Sequence, residues 1–373
     1  IDLCVRGEGE ETLLDIVNAA SAGKDPRTLN GIMFRDNGSI LSNPPRARIR
    51  DVDDIPEPHW EDLPLETYMA GGFGHGVNLG RSMPLLATRG CPFQCTFCSS
   101  PFMWTTRWEA RSPQKVFDEM VKYIKKYDVE NFDFYDLTAI IKKKWIIEFC
   151  DLIIESGLKF TWQLPSGTRS EAIDAEVVDR LWVSGCRNMN YAPESGSEEV
   201  LERIKKKVSL PRLEESMRAA IRRGLNVKIN MIFAFPEDTP REIWENFKFG
   251  MKCAWLGVHD SSFIPYVPYP GSELYFQLAT ENRLEPMSDG YFDSLIPFSD
   301  LEHAKSFNPR IGDRQLVWAR YLYFVLFYGT MFLRRPRRLM RMIMNLLSGR
   351  TESRGEEVLQ NLLLRKKQVK QVS

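Results

Sequence analysis

From residue 83 to residue 270, short apolar runs alternate with longer amphipathic stretches. The apolar runs predict strands and the amphipathic stretches predict helices. Strands that regularly alternate with helices indicate a parallel sheet with crossover helices. Strands are expected near 83–88, 131–136, 159–164, 187–193, 227–235 and 259–266. Helices are expected near 113–127, 143–156, 174–184, 197–206 with 211–223, and 239–255.

Three cysteines follow the first of these strands at a C-x3-C-x2-C spacing, namely Cys91, Cys95 and Cys98. Their thiolates are soft ligands that suit an iron–sulfur cluster or a zinc ion. A structural zinc site needs four ligands, but the other four cysteines are isolated and no histidine lies within ten residues. The count favours a 4Fe-4S cluster with one iron left open to a substrate or cofactor. Zinc and an inert group of buried thiols remain the alternatives.

The C-x3-C-x-aromatic-C loop resembles that of the radical S-adenosylmethionine (SAM) enzymes. The resemblance implies a partial (β/α)6 TIM-like barrel, to which the six strand–helix units correspond. It also implies that Cys91, Cys95 and Cys98 hold a 4Fe-4S cluster whose open iron chelates the amino and carboxylate groups of SAM. Reduction of the cluster then cleaves SAM and releases a 5'-deoxyadenosyl radical.

The carboxyl ends of barrel strands carry the chemistry in such folds, so polar residues there are candidate SAM ligands. Asp136, after the second strand, is a candidate for the SAM amino group, unless it only caps the turn. Arg169, after the third strand, suits a carboxylate in a bidentate clamp. The resembled subgroup has an arginine here, which makes Arg169 the candidate for the SAM carboxylate; a structural ion pair is the alternative.

The fourth strand ends in a sequence similar to the family pattern G-[IV]-E-S-G-S, although Ala192-Pro193 replaces its first two residues. The resemblance implies that Glu194 and Ser195 face the ribose and methionine parts of SAM; an ordinary helix start is the alternative. The sixth strand ends in a P-x-P-G-S sequence. Tyr266 there, with Phe97 of the cysteine loop, is expected to hold the adenine, unless both are ordinary core residues.

Residues 5–16, VRGEGEETLLDI, resemble the last strand and helix of the cobalamin-binding domain that precedes the barrel in one radical SAM subgroup. The domain's signature, Asp-x-His-x-x-Gly, is not in this chain, so the sequence predicts an N-terminally truncated member. We therefore expect four parts: residues 1–20 as the tail of a Rossmann-like cobalamin-binding domain, a linker at 21–82, the barrel at 83–275 and a helical extension at 276–373. The linker should contain a hairpin at 31–41 and, at 71–76, a mobile glycine-rich segment near the barrel mouth.

The extension carries an aromatic run at 321–333, followed by five arginines between 334 and 341. With only about 13 uncharged residues between arginines, the run is expected to be too short to span a bilayer. It predicts helices that fold over the barrel mouth, a hydrophobic small-molecule substrate and peripheral contact with an anionic membrane. A plain helical lid is the alternative. A short amphipathic helix is expected at 356–370.

Charge and cysteine usage narrow the function. Among the 373 residues, 50 basic side chains balance 50 acidic ones, which argues against nucleic acid as a partner. Scattered cysteines suit a reducing cytoplasm. The resemblance implies a cobalamin-dependent methyltransferase acting on an unactivated carbon, with a flavodoxin or ferredoxin as reductant. The alternatives are an oxidative cyclase, a cobalamin-independent enzyme that modifies RNA, and a non-enzymatic iron–sulfur or zinc protein.

Overall fold

The computed structural model describes residues 2–169, 172–297, 301–348 and 356. Within them the strands are β1 (Leu3–Val5), β2 (Ile32–Asp36), β3 (Ser39–Ser42), β4 (Ser82–Leu85), β5 (Thr88–Arg89), β6 (Glu109–Ala110), β7 (Asn131–Phe134), β8 (Thr161–Thr168), β9 (Cys186–Glu194), β10 (Asn226–Phe233) and β11 (Asp260–Pro265). The α-helices are α1 (Glu10–Ser21), α2 (Leu65–Gly71), α3 (Ser100–Trp104), α4 (Pro113–Tyr127), α5 (Lys143–Ser156), α6 (Ala175–Val183), α7 (Glu198–Arg203), α8 (Leu210–Arg223), α9 (Pro240–Leu256), α10 (Glu273–Thr280), α11 (Asp289–Asp293), α12 (Asp313–Arg334) and α13 (Pro336–Ser348).

Six strands form one parallel sheet in the order β4-β7-β8-β9-β10-β11, which is also their order along the chain. Helices α4, α5, α6, α8 and α9 lie in the five connections between successive strands of this sheet. Sequential order with helical crossovers is the arrangement of a (β/α) barrel. The predicted partial (β/α)6 fold with a helical C-terminal part is confirmed.

Local sequence signals set the ends of these elements. Helix α9 begins with a capping box, in which Thr239 and Glu242 exchange side-chain and backbone hydrogen bonds. It ends at Gly257, whose φ of 113° lies in the left-handed region. Along β10 the side chains alternate between buried and half-buried positions. One side of each element thereby joins the core, where rings such as Trp162 and Phe149 meet edge to face.

The N-terminal part forms a separate three-stranded antiparallel sheet in the order β1-β2-β3. The predicted hairpin is confirmed: β2 and β3 join through Asn37 and Gly38, both at positive φ. Because β1 pairs with β2, the first strand and the hairpin form one structural unit across residue 20. The 3-10 helices Pro26–Thr28, Val52–Asp54 and Trp60–Asp62, with α2, lie between β1 and β4.

The glycine-rich segment at 71–76 does not lie at the barrel mouth, as the sequence had suggested. The backbone N–H of His75 donates to Asp133 Oδ2 over 3.0 Å, and Gln163 exchanges two hydrogen bonds with the backbone of Val77. Gln163 is the third of the eight residues of β8, so the segment packs against the N-terminal half of the sheet. Glycine permits this close approach, and the ring of His75 meets that of Tyr135, just after β7, edge to face at 5.2 Å.

Helix α12 packs along the outer side of the sheet instead of over its mouth. The Tyr323 ring stacks on Phe263 of β11 with centroids 3.9 Å apart and planes 4° from parallel. Its hydroxyl lies 2.8 Å from Ser261 Oγ. A Cβ placed at Gly250 of α9 would clash with Tyr323, so glycine there allows the two helices to approach. The expectation that the extension covers the mouth is therefore wrong for α12.

Helix α13 lies at the opposite end of the barrel from the mouth. Arg335 Nη2 donates to the carbonyl of Leu256 over 2.8 Å, and Arg338 Nη2 donates to that of Gly257 over 2.9 Å. Leu256 and Gly257 lie at the C-terminal end of α9, a few residues before β11 begins. The two arginines are therefore near the N-terminal end of β11. The two arginines thus satisfy the last carbonyls of a helix. The helix expected at 356–370 lies outside the described residues, apart from residue 356.

Among the described residues, α12 is also the one helix that is long and apolar enough to cross a membrane by length and composition. It has 22 residues with a mean hydropathy of 1.4 in its best window. The sequence estimate of a shorter run counted Arg320 as a boundary, but Arg320 is buried and donates to the carbonyl of Pro297 over 2.6 Å. The charge that seemed to interrupt the helix therefore faces the protein.

Candidate active site

The cysteine loop starts where β5 ends. Strand β5 pairs with β6 as a two-residue antiparallel ribbon. At Gly90, φ is +80° and a Cβ would clash with the backbone carbonyl of Arg107, so only glycine fits this turn. The turn directs Cys91 and the residues after it away from the ribbon, above the carboxyl ends of the barrel strands.

Backbone hydrogen bonds fix the loop between two helices. The N–H of Thr96 donates to the carbonyl of Ile204, just after α7, over 3.0 Å. The carbonyl of Thr96 accepts from the N–H of Leu274 in α10 over 2.9 Å. Within the loop, Ser100 N donates to Cys98 Sγ over 3.4 Å, a contact that favours the thiolate form. The loop is thus held before any metal is bound.

The three thiols are half-buried neighbours, close to the cations Lys206 and Arg169 and to the Glu194 carboxylate. Burial raises the pKa of all three, and each also feels the charge of a neighbouring thiol. Lys206 opposes this rise in pKa at all three thiols, and Arg169 opposes it at Cys91 and Cys95. Metal binding needs the thiolate. Lys206 and Arg169 therefore lower the electrostatic cost of forming the thiolates.

The thiols are not arranged as a site for a single metal ion. Within residues 2–169, 172–297, 301–348 and 356, no three His, Cys, Asp or Glu side chains form a group that could hold one ion. A tetrahedral zinc site brings its sulfur ligands to about 2.3 Å from one centre.

Strand β9 delivers an acidic side chain to the same region. Glu194 ends the strand at a φ of +66°, a conformation that non-glycine residues adopt at a cost and that is frequent at functional sites. Its Oε1 lies 2.9 Å from Lys206 Nζ, and the two side chains are 10% and 9% exposed. Lys206 therefore links the predicted Glu194 to the cysteines. The sequence had assigned Lys206 no role.

Strand β8 delivers Arg169, whose guanidinium lies 3.5 Å from the ring centroid of Phe93 in the cysteine loop. It also donates to the carbonyl of Lys207, next to Lys206. Arg169 is 7% exposed. The structure thus brings the predicted Arg169 and Glu194 to the cysteine loop, where they contact the neighbouring residues Lys207 and Lys206.

An aromatic row extends from the cysteine loop to β11. The ring of Phe97 lies 5.7 Å from that of Phe235, which lies 5.3 Å from Tyr266. Tyr266 meets Phe307 edge to face at 6.3 Å. The two residues predicted for the adenine are therefore joined through Phe235. The sequence missed Phe235 because one phenylalanine among several at a strand end carries no distinguishing signal.

Two other predicted residues have partners in the protein interior. The Asp136 carboxylate accepts from Thr88 Oγ1 over 2.5 Å and from the backbone N–H of Ala87 over 3.2 Å. Burial raises the pKa of Asp136 to about 6. Ser195 Oγ is fully buried and lies 2.8 Å from Asn246 Oδ1. Both side chains therefore make their hydrogen bonds within the protein.

A cavity of about 520 Å³ lies at the carboxyl ends of β4 and β7. Leu86 and Tyr135 form one wall, and Pro56 and Trp60 of the segment before the barrel form another. Arg89, two residues before Cys91, also lines it. The cavity is thus largely apolar, adjoins the cysteine loop in sequence and has the size of a small-molecule site.

A parallel (β/α)6 sheet with three clustered thiols after its first strand defines the class of iron–sulfur barrel enzymes. Residues 85–250 match the model of the Radical SAM superfamily, so this part of the chain is a radical SAM domain. The predicted family is confirmed.

Two individual proteins are also similar to this chain in sequence. The chain is 31% identical over 306 residues to the uncharacterized methyltransferase PH0819 of Pyrococcus horikoshii. The aligned region covers 82% of this chain and 64% of that protein. It is 29% identical over 284 residues to the anaerobic magnesium-protoporphyrin IX monomethyl ester cyclase of Cereibacter sphaeroides. This alignment covers 74% of this chain and 45% of the cyclase. The chain thus spans between 45% and 64% of the length of these two relatives.

Among solved structures, the chain is similar to the cobalamin-dependent S-adenosylmethionine radical enzyme OxsB, solved with aqua-cobalamin and S-adenosylmethionine. The TM-score is 0.61 at 17% identity, and the match covers 98% of this chain and 59% of OxsB. At this identity the likeness shows the fold.

Proposed function

We propose that the chain is the catalytic part of an enzyme that holds a 4Fe-4S cluster on Cys91, Cys95 and Cys98 and binds SAM beside it. The observation that carries this proposal is the meeting of three thiols with Arg169 and the Glu194–Lys206 pair. When bound, the cluster supplies the electron that cleaves SAM to a 5'-deoxyadenosyl radical. The remaining residues bind and orient SAM.

Each neighbouring group has a role in this proposal. The Arg169 guanidinium, oriented by Phe93, receives the SAM carboxylate. Glu194, held by Lys206, accepts hydrogen bonds from the ribose hydroxyls. Phe97 and Tyr266 enclose the adenine with the ring of Phe235 between them. Asp136 and Ser195 are positioning residues and not direct ligands, because their oxygen atoms are taken by interior partners.

The reaction we propose is cobalamin-dependent methylation of an unactivated carbon. A methyltransferase among the relatives and the fold match to a cobalamin-dependent enzyme support it. Oxidative cyclisation is the second candidate, supported by the relative named as a cyclase. The apolar cavity at Leu86 and Tyr135 supports a hydrophobic substrate. We further propose a flavodoxin or ferredoxin as reductant, and a cytoplasmic enzyme in peripheral contact with a membrane.

The test uses the anaerobically reconstituted chain with dithionite and SAM. Wild type should release 5'-deoxyadenosine, and Arg169→Ala and Glu194→Ala should weaken SAM binding at least tenfold with the iron content unchanged. Arg187→Ala is a matched control, because this guanidinium donates to the carbonyls of Trp182 in α6 and Cys186 at the start of β9; the variant should bind SAM like wild type. Wild-type SAM affinity in both site variants would refute the pocket.

A further inference from the structure

The outward side of α12 is an unpartnered apolar stripe. Trp318, Leu322, Val325 and Leu333 are 74%, 50%, 69% and 80% exposed. Their spacing of four, three and eight residues places them on one side of the helix. The opposite side, which includes Tyr323, packs on the barrel. The stripe therefore does not contribute to the core.

The next helix carries a second exposed apolar stripe. Met340, Ile343, Met344 and Leu347 of α13 follow the spacing i, i+3, i+4, i+7 and are between 42% and 83% exposed. Two consecutive helices thus each present an apolar stripe to solvent. Scattered exposed hydrophobic residues are ordinary, but contiguous stripes mark an interaction surface. We call these two stripes together the α12–α13 face.

The two helices of this face are strongly basic, although Asp313 begins α12 and Glu356 Oε1 accepts from Asn345 Nδ2 of α13 over 3.0 Å. Residues 314–348 contain seven arginines and no lysine, aspartate or glutamate. Arg334, Arg337 and Arg341 are exposed. The Arg334 guanidinium lies 5.3 Å from the ring centroid of Trp255, a half-exposed tryptophan at the end of α9. Apolar stripes beside arginine and tryptophan are typical of helices that lie in a membrane interface.

We propose that the α12–α13 face docks on the surface of an anionic lipid membrane. The apolar stripes enter the headgroup region and the three arginines contact lipid phosphates. A second copy of the chain fits this face poorly, because a symmetric contact would bring the arginines of both copies together. Helix α12 lies on the membrane and does not cross it, because its inner side is part of the barrel surface.

This inference deepens the membrane contact of the proposed function and rests on that part alone. It also orients the molecule. Because α12 runs along the side of β11 and α13 lies at the floor of the barrel, docking leaves the cysteine loop and the apolar cavity away from the membrane plane. A lipophilic substrate would then leave the bilayer before it reaches the site.

The test is flotation of the chain with vesicles, which requires neither cluster nor activity, so a failure here leaves the SAM chemistry untouched. Wild type should float with phosphatidylcholine vesicles containing about 30% phosphatidylglycerol and should bind far less to pure phosphatidylcholine. Binding should weaken at about 0.5 M salt, where the Debye length falls to roughly 4 Å.

Two variants separate the charge from the apolar contact. Changing Arg334, Arg337 and Arg341 together to Gln should lower the partition coefficient roughly 100-fold, because each arginine near an anionic surface contributes about 1 kcal/mol. Val325→Glu with Met344→Glu should abolish flotation. The matched controls lie on other exposed surfaces and should float like wild type: Arg212, Arg218 and Arg222 of α8 changed together to Gln, and Ile40→Glu. Circular dichroism at increasing temperature verifies that every variant folds.

Five outcomes would overturn the proposal. Wild type could remain unbound at low salt, bind neutral and anionic vesicles equally, or bind no better than the arginine variant. Release only by detergent would show a spanning helix. A dimer mass by light scattering in wild type but not in Val325→Glu would assign the face to a second copy.

Discussion

The Glu194 carboxylate and the Lys206 ammonium lie 2.9 Å apart with little exposure of either side chain. Removing one partner of such a pair leaves the other charge buried and uncompensated. We predict that Lys206→Met lowers the free energy of unfolding of the iron-free chain by about 3 kcal/mol, measured by urea denaturation. Adding Glu194→Gln should restore at least 1 kcal/mol.

The control is the neighbouring lysine. Lys205 pairs with Glu273 at 2.6 Å, but both side chains are half exposed. Exposed pairs contribute about 0–1 kcal/mol, so Lys205→Met should change the stability by less than 1 kcal/mol. Equal losses for the two lysine variants would show that the Glu194–Lys206 pair is not the buried pair described above.

Asp136 gives a prediction on pH. Its pKa is raised to about 6 by burial, above an ordinary value near 4. Between these values the folded state binds more protons at Asp136 than the unfolded state does, so this group makes stability fall as pH rises. Over two pKa units the contribution is about 3 kcal/mol. Asp136→Asn keeps one accepting oxygen but does not titrate.

The stability of Asp136→Asn relative to wild type should therefore rise by about 3 kcal/mol from pH 4 to pH 7. Urea denaturation of both proteins at several pH values in this range measures the difference. A difference that stays constant over the range would mean that Asp136 titrates at its ordinary pKa and is not buried as described.

At the scale of elements, the packing of α12 on the barrel depends on Tyr323. Its ring stacks on Phe263 and its hydroxyl bonds to Ser261. Truncating a fully buried aromatic side chain costs about 3–5 kcal/mol. We predict this loss for Tyr323→Ala in urea denaturation. Tyr321→Ala, two residues away on the exposed side, should cost less than about 1 kcal/mol; the reverse order would mean that the helix is rotated.

The sequence was sufficient for elements whose signals are local. All six barrel strands and their crossover helices lie where the alternation of apolar runs predicted them. The placement of α12 was wrong because an apolar stripe shows that a helix has a buried side but not which surface it covers. The glycine-rich segment was misplaced for a similar reason: Asp133 and Gln163, which fix it, lie about 60 and 90 residues further along the chain.

At the scale of the site, the resemblance to the radical SAM family at two strand ends named Arg169 and Glu194, which both lie close to the cysteine loop; their contacts with SAM stay a prediction. Lys206 and Phe93 were missed because their roles depend on contacts with distant residues, Glu194 and Arg169 respectively. The spacing of twelve residues between Glu194 and Lys206 is not one at which a helix or a strand would bring two side chains together, so the sequence does not predict the pair. Asp136 and Ser195 look like ligands in sequence, and the hydrogen bonds that they make inside the protein are the reason we propose a positioning role instead.

For the whole molecule, the two ends of the barrel have different chemistry. The carboxyl ends of the strands carry the thiols, the buried charges and the apolar cavity. Helix α13 lies at the opposite end. This separation means that changes at the α12–α13 face, such as Val325→Glu, should leave cluster assembly intact.

The central claim is that three thiols hold a cluster with one iron open to SAM. The most direct measurement is electron paramagnetic resonance of the anaerobically reconstituted, dithionite-reduced chain, titrated with SAM. We predict about four irons and four sulfides per chain, and a spectrum that shifts when SAM binds. Cys91→Ala, Cys95→Ala and Cys98→Ala should each lose the signal, whereas Cys150→Ala, buried elsewhere in the core, should keep it. One zinc per chain without iron uptake, or a cluster spectrum that SAM leaves unchanged, would contradict the account.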